Sequence, residues 1–170
     1  LLNMLDWSIN QKEHPVMILL PGNEVDYREA DKNYNEINKY KVEQEGEKVA
    51  IIALGDFYQR GKKLAESIAE KLGFKPTLIN PRFATGLDNT LLNNIKDNHN
   101  IVITLEDGIL DGGFGQKIAS YFGNTNIKVK NYGLQKKFYD RYNPEELLKE
   151  EKMDSESIIE YIKRNINPII

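Results

Sequence analysis

From residue 49 to residue 129 the sequence alternates short apolar runs with amphipathic segments of helical spacing, and this alternation constrains the fold most strongly. The runs at 49–54 and 101–105 are almost continuously apolar, which is typical of strands buried on both faces of a parallel sheet. Strands that alternate with helices in this way form a sheet covered by helices on both sides. The pattern therefore predicts a three-layer α/β/α domain with a mostly parallel sheet of about five strands.

Local signals place the other elements of this domain. Further strands are predicted at 77–79 and 127–129, and a short one at 40–42. Asp88 is predicted to cap a helix, and Gly73 to end one, because these residue types satisfy the backbone groups at helix ends. The predicted helices cover residues 64–72, 91–95, 118–122, 144–149 and 155–162.

The first 45 residues have a different pattern. An amphipathic helix opens the chain, and a strand at 16–20 follows and stops at Pro21-Gly22. The polar, tyrosine-containing stretch 23–45 is predicted to be a linker that ends in the short strand. We therefore divide the chain into residues 1–22, 23–45 and 46–170. Because the sequence starts at Leu1 inside a helical pattern, we expect it to be part of a longer protein.

Composition excludes several classes of function. The 23 basic and 26 acidic residues give a net charge of −3, whereas binding to nucleic acid or to an anionic membrane requires a concentrated basic surface. The chain has no cysteine and only two histidines, so thiolate chemistry, disulfides and zinc–thiolate sites are excluded and a histidine metal site is disfavoured. No apolar stretch approaches the ~20 residues of a membrane span, and no signal peptide is visible. The predicted location is the cytoplasm.

The segment from residue 105 to residue 115 is the most conspicuous candidate for a site. Acidic residues at a strand end, followed by glycines that open a helix, resemble a phosphate cradle. The spacing matches neither GxGxxG nor a P-loop, however, and the acidic side chains would repel phosphate. The favoured interpretation is a tightly packed turn or an interface, and a ligand site is the alternative. The candidate residues here are Glu106, Asp107, Asp111, Gly112 and Gly113.

Arg82, just beyond the predicted strand at 77–79, is the other candidate. Its guanidinium can hold an anion or can form an ion pair with a carboxylate such as Glu106 at a neighbouring strand end. His14 and His99 are interpreted as surface or capping residues. No nucleophile and base can be paired with any specificity. We therefore predict no catalytic residue and no metal-binding residue in this chain.

Three motifs follow one another along the second part of the chain. They are Asn80-Pro81-Arg82-Phe83 with Leu87-Asp88, Ile103-Thr104-Leu105-Glu106-Asp107-Gly108 with Asp111-Gly112-Gly113-Phe114-Gly115, and Asn131-Tyr132-Gly133-Leu134 before Phe138. Together they resemble the C-terminal domain of the transketolase family, most closely that of 1-deoxy-D-xylulose-5-phosphate synthases. The similarity runs from about Lys48 to the C-terminus, and residues 1–22 resemble the end of the preceding pyrimidine-binding domain.

The resemblance implies a homodimeric transferase that holds thiamine diphosphate and magnesium between its first two domains. Such enzymes condense pyruvate with glyceraldehyde 3-phosphate in isoprenoid precursor synthesis. The resemblance implies that this chain serves dimer assembly and active-site enclosure, with the upstream domains as its partners. It would then contribute no cofactor-binding residue and would be inactive alone. Two alternatives stay open: an independent interaction or regulatory domain of this fold, and the C-terminal part of a transketolase-family enzyme with another acceptor.

One position departs from the family pattern. The family usually has an arginine at the end of the second domain that helps to hold the substrate phosphate, and the matching residue here is Leu19. A leucine side chain provides no charge-assisted hydrogen bond. Either another residue binds the phosphate, or the parent enzyme uses a different acceptor.

Overall fold

One sheet of five strands organises the computed structural model of this protein. The structure describes residues 2–20 and 34–166. The strands are β1 Lys41–Gln44, β2 Lys48–Ala53, β3 Thr77–Asn80, β4 His99–Ile109 and β5 Lys128–Leu134. Their order in the sheet is β1-β3-β2-β4-β5. The helices are α1 Leu2–Asn10, α2 Phe57–Leu72, α3 Asn89–Asn98, α4 Phe114–Phe122, α5 Pro144–Glu150 and α6 Ser155–Asn165. The chain divides into two compact units, Leu1–Ile37 and Asn38–Ile170.

The sheet of the second unit is parallel except at one edge. β2 pairs with β3 and β4, and β4 with β5, all in parallel, whereas β1 pairs with β3 antiparallel. In the central strands, the side chains of neighbouring residues point to opposite faces of the sheet, as strand geometry requires. Ile51 packs in one buried cluster and Ile52 in the other. The first cluster includes side chains of α2 and α6, and the second includes side chains of α3 and α4. The predicted three-layer, mostly parallel fold is confirmed.

Two helix ends follow the predicted signals. α2 ends at Gly73, whose φ of 76° is left-handed and favours glycine. Asp88 caps α3, since its Oδ1 accepts a hydrogen bond of 3.1 Å from the backbone N–H of Leu91. Both predictions agree with the structure, because each of these helix ends is determined by hydrogen bonds to backbone groups within one turn.

The prediction for the fourth strand needs correction. β4 continues beyond residue 105 to Ile109, because Ile109 pairs with Leu134 after a register shift. β5 likewise begins at Lys128 and continues to Leu134. Glu106, Asp107 and Gly108 therefore belong to the strand and not to the turn that follows it.

The stretch predicted to be a linker also includes part of the sheet. β1 forms within it and pairs with β3, from Lys41 opposite Asn80, so the second compact unit begins at Asn38 and not at residue 46. An edge strand of four residues carries little periodic signal of its own, and it is defined by its partner. Residues 23–33 of the predicted linker lie outside the described part of the chain.

In the first unit the predicted helix forms as α1, but the predicted strand at 16–20 does not. Met17 and Leu19 are 87% and 83% exposed. A strand requires a neighbour that completes its hydrogen bonds, and no strand in the described ranges 2–20 and 34–166 pairs with these residues. The predicted turn at Pro21-Gly22 lies outside the described residues.

Candidate functional site

Glu106, at the carboxyl end of β4, is the centre of the predicted glycine-rich site. Its side chain is only 4% exposed. Oε2 accepts a hydrogen bond of 2.7 Å from the backbone N–H of Phe114, and Oε1 accepts one of 2.9 Å from that of Gly115. A carboxylate at the start of a helix is stabilised by the exposed N–H groups and by the helix dipole. Glu106 therefore fixes the start of α4 from inside the protein.

This arrangement decides what the glycine-rich turn can bind. A phosphate cradle uses the free N–H groups at a helix start, but Glu106 already occupies those of Phe114 and Gly115. An anion at this position would have to displace a buried carboxylate of the same charge. The geometry thus favours a tightly packed turn over a ligand site.

The glycines of the turn are required by close packing. A Cβ at Gly113 would lie 2.7 Å from Oε2 of Glu106, and one at Gly115 would lie 2.5 Å from Oγ1 of Thr104. Gly112 has a φ of 77°, and its N–H donates a 2.7 Å hydrogen bond to Oε1 of Gln116. Gly113 and Gly115 are therefore required because a side chain would not fit. Gly112 is favoured because its backbone is left-handed.

The other two acidic residues of the motif point outward. Asp107 and Asp111 are exposed, and the structure gives neither of them a hydrogen bond or ion pair with another described residue. Across residues 2–20 and 34–166, no group of three or more histidine, aspartate or glutamate side chains is arranged to hold a metal ion. The acidic motif therefore provides one buried structural carboxylate and two solvated ones.

Arg82 has a role that the sequence analysis did not anticipate. Its Nε and Nη2 donate hydrogen bonds of 3.0 and 2.7 Å to the backbone carbonyl of Lys39. Arg82 itself has a φ of 60°, a left-handed conformation that is uncommon for a residue with a side chain. The alternative of an ion pair with Glu106 is not realised among the described residues, because both oxygens of Glu106 bind the start of α4.

Asp88 holds the same segment from the other side. Besides capping α3, it accepts a 3.1 Å hydrogen bond from the N–H of Tyr40 through Oδ2. The hydroxyl of Tyr40 donates to the carbonyl of Gly86 at 3.0 Å, and burial raises the pKa of this hydroxyl. We call Arg82, Gly86 and Asp88 the β1 clamp, because they hold the residues that lead into β1.

Sequence reasoning missed the β1 clamp because its partners are more than 40 residues apart. The polar residues at 80–88 were visible as a motif, but Arg82 and Asp88 hold backbone groups of this segment, the carbonyl of Lys39 and the N–H of Tyr40, and backbone groups leave no trace in residue type. A sequence signal that could have pointed to it is the presence of an arginine and an aspartate on either side of a short loop.

His99 lies at the opposite end of β4 from Glu106 and links three elements. Its Nδ1 is 3.0 Å from the carbonyl oxygen of Ile95, and its Nε2 is 2.8 Å from Oγ1 of Thr77. The carbonyl requires a donor, so Nδ1 carries the proton and Nε2 accepts from the hydroxyl. Burial lowers the pKa of His99, which favours this neutral form. The residue follows α3 directly and caps its end.

The family profile described as "Transketolase, C-terminal domain" matches residues 38–158. The chain belongs to the transketolase C-terminal domain family. The matched range begins at the residue where the second compact unit begins. The resemblance stated from the three motifs is confirmed, since Arg82, Asp88 and Glu106 all lie within the matched range.

Curated relatives resemble the chain over nearly its whole length. It is 32% identical to the 1-deoxy-D-xylulose-5-phosphate synthase of Clostridium tetani over 164 residues, and 34% identical to that of Clostridium beijerinckii over 165 residues. Each alignment covers 95% of this chain and 26% of the relative. The chain thus spans about a quarter of the length of the curated relatives that it matches.

Solved structures share the fold of this transketolase C-terminal domain. The structure titled "Split gene transketolase, inactive beta4 tetramer" superimposes with a TM-score of 0.71 at 20% identity, over 84% of this chain and 46% of that one. A transketolase from Campylobacter jejuni gives a TM-score of 0.51 at 14% identity, over 75% of this chain and 18% of that one. At these identities the similarity shows the fold alone.

Proposed function

We propose that this chain is the C-terminal part of a 1-deoxy-D-xylulose-5-phosphate synthase-like transferase, where it serves dimer assembly and active-site enclosure. The observation that carries the proposal is the match to synthases over 95% of this chain but only 26% of their length. The proposed parent reaction joins pyruvate to glyceraldehyde 3-phosphate in the cytoplasm and leads to isoprenoid precursors. None of the helices in the described ranges is long and apolar enough to cross a membrane.

The proposed parent enzyme uses thiamine diphosphate and magnesium, and the residues at 2–20 and 34–166 of this chain do not fit that cofactor. Glu106 is buried and occupied by two backbone N–H groups. Asp107 and Asp111 are exposed, and no third metal ligand accompanies them within the described residues. We therefore assign the cofactor to other domains of the parent enzyme and derive no catalytic step through this chain.

The proposal includes inactivity of the chain by itself. The hydrogen bonds of the buried carboxylates support this part of the proposal. Glu106 caps α4. Asp88 caps α3 and also accepts a hydrogen bond from the N–H of Tyr40. Groups fixed in this way are not available as acids or bases.

A reconstitution experiment tests the proposed function. The upstream region of the parent enzyme and this chain are produced separately, and pyruvate decarboxylation with glyceraldehyde 3-phosphate is measured for each and for the mixture, with thiamine diphosphate and magnesium. We expect activity only in the mixture. Full activity of the upstream region alone, or no activity after mixing, would contradict the proposal.

The acceptor is a separate part of the proposal, because Leu19 stands where the family has a phosphate-holding arginine. Leu19 is exposed in the described first unit, so Leu19→Arg should be tolerated. In the reconstituted enzyme, we expect this variant to lower the KM for a phosphorylated acceptor relative to an unphosphorylated aldehyde. An unchanged KM ratio would indicate that another residue already binds the phosphate.

A further inference from the structure

The charges of the chain are unevenly distributed, and one long stretch carries no acidic residue. Residues 112–139 contain five lysines and no aspartate or glutamate, although the whole chain has a net charge of −3. This stretch forms α4 and β5, and β5 is the last strand of the sheet. Net positive charge is therefore concentrated at this edge of the sheet, whereas the rest of the chain is acidic.

The outer edge of β5, the side away from β4, is open. β5 pairs with β4 in parallel, and within residues 2–20 and 34–166 no strand pairs with its outer edge. The side chains of residues 128–131 are exposed or half-buried, whereas Tyr132 and Gly133 are buried. The first half of β5 therefore presents outward N–H and C=O groups, on which another strand can form.

Two lysines of this half-strand are held on the α6 side of the sheet. The ammonium of Lys130 lies 5.6 Å from the ring centre of Tyr132 and 5.8 Å from that of Tyr161 in α6. The ammonium of Lys128 lies 3.3 Å from the carbonyl oxygen of Asn165 at the end of α6. Both lysines are exposed, and neither has an ion pair with a carboxylate in the described part of the chain. Rings and a carbonyl position these ammonium groups without neutralising their charge.

The acidic side chains of the neighbouring helix α6 have other partners. Asp154 caps the start of α6. Glu156 lies 3.8 Å from the ammonium of Lys71 on α2. Glu160 forms an ion pair of 3.0 Å with Arg164. Because these carboxylates are engaged elsewhere, they leave the two lysines of β5 to an external partner.

Lysines at an open edge determine which strand can be added to it. They oppose pairing with apolar or basic strands, which is how edge lysines protect sheets from aggregation. Acidic residues at alternate positions of an incoming strand would instead lie beside Lys128 and Lys130, because side chains two residues apart share a face. On the opposite face Val129 is half-buried against the cluster that includes α4, which favours apolar residues at the positions between.

We propose that residues 128–131 of β5 bind an acidic, extended segment of a partner protein, which adds to the sheet as a further strand. In this mode of recognition, backbone hydrogen bonds supply affinity and alternate side chains supply specificity. A peptide fits the outer edge better than a nucleic acid does, because its backbone offers the complementary donors and acceptors. The proposed site lies outside the β1 clamp and the turn around Glu106, and it does not depend on the parent reaction.

Peptide binding to the full chain tests the proposal. The probe is a fluorescently labelled peptide of about ten residues in which valine and glutamate alternate, and fluorescence anisotropy measures its affinity. We expect saturable binding with a Kd below about 1 mM at low salt, and weaker binding as salt is added. In a matched peptide, prolines replace the central valines. It should bind at least about tenfold more weakly, because proline has no N–H for the new ladder.

Charge reversal and hydrogen exchange locate the site. Lys128→Glu with Lys130→Glu should weaken binding of the glutamate peptide by about tenfold or more, and this variant should bind a valine–lysine peptide instead. Lys62→Glu with Lys63→Glu, which reverses two exposed charges on α2, is the control and should bind the glutamate peptide normally. In the unmodified chain, the bound glutamate peptide should slow hydrogen exchange within residues 128–134. This readout does not depend on the folding of any variant.

Several outcomes would overturn the proposal. These are no binding of the glutamate peptide up to about 1 mM, slower exchange elsewhere in the sheet with residues 128–134 unchanged, and equal binding of the proline peptide. Equal binding of the proline peptide would indicate charge attraction without strand addition. A single-stranded oligonucleotide that binds more tightly than the glutamate peptide, and that the Lys128→Glu with Lys130→Glu variant no longer binds, would assign this edge to nucleic acid instead.

Discussion

The backbone nitrogen of Phe114 lies 2.7 Å from Oε2 of Glu106, so the first residue of α4 is bound by a carboxylate from the end of β4. Glu106 is 4% exposed, and Gly115 donates to its other oxygen. A buried charge with two N–H donors is stable where an unpaired one would be costly. This contact joins a strand and a helix that a glycine-rich turn would otherwise leave loosely connected.

Glu106→Gln should lower the free energy of unfolding by about 1–3 kcal/mol. The neutral amide loses the charge-assisted bonds, and its NH₂ group faces one of the two backbone N–H groups. Urea denaturation checks this. Asp107→Asn is the matched control, since Asp107 is the exposed neighbour, and it should change stability by less than about 0.5 kcal/mol. Equal effects for the two variants would contradict the capping role of Glu106.

The glycines around Glu106 should differ sharply from a glycine at the other end of α4. We expect Gly113→Ala and Gly115→Ala each to destabilise the domain by about 1–3 kcal/mol, because the new methyl group overlaps buried atoms. Gly123→Ala, where the nearest atom would lie 3.4 Å from the Cβ, should be nearly neutral. Thermal unfolding of the three variants checks the difference, and an equally large loss for Gly123→Ala would contradict it.

Arg82→Met should loosen the attachment of β1. The variant keeps much of the side-chain length but loses both hydrogen bonds to the carbonyl of Lys39, which we expect to cost about 1–3 kcal/mol. Hydrogen exchange at the N–H of Tyr40 should become faster, since Gly86 and Asp88 are then the remaining members of the β1 clamp that hold the segment. Arg60→Met, which removes a surface ion pair with Glu145, should cost less than about 1 kcal/mol. Unchanged exchange at Tyr40 would show that Arg82 does not hold the segment.

Stability should fall as the pH falls below 6.5, the ordinary pKa of histidine. Burial lowers the pKa of His99 in the folded protein, so the unfolded chain takes up the proton at a higher pH than the folded one. The free energy of unfolding then decreases from pH 6.5 down to the folded pKa and levels off below it. Urea denaturation at several pH values measures this dependence.

Two controls isolate His99. His99→Gln should flatten the profile in this range, whereas His14→Gln, at an exposed histidine, should leave it unchanged. Measurements kept above about pH 5 avoid Asp154. Burial acts to raise the pKa of this carboxyl, but hydrogen bonds from Ser157 and from the backbone of Asp154 and Glu156 together lower it. A profile that His99→Gln leaves unaltered would exclude this residue as the source.

The sequence by itself determined the layers of the domain. Uninterrupted apolar runs in β2 and β4 can be satisfied only by burial on both faces, and the intervening helical spacing supplies the cover. Caps such as Asp88 and Gly73 were also predictable, because each acts on backbone groups within one turn. These features depend on neighbours in the chain, so residue type and spacing are enough to specify them.

Only the tertiary structure decided where Arg82 and Glu106 direct their polar groups. The charge of Arg82 predicted an anion or a carboxylate as its partner. In the structure its guanidinium donates a hydrogen bond to the carbonyl of Lys39, 43 residues away in sequence. At Glu106 the sequence favoured a packed turn or an interface over a ligand site, but it did not show that the carboxylate oxygens bind the start of the helix that follows. The length of β4 was likewise set by β5. Backbone donors and acceptors are the same at every residue, so which of them a side chain meets is fixed by packing alone.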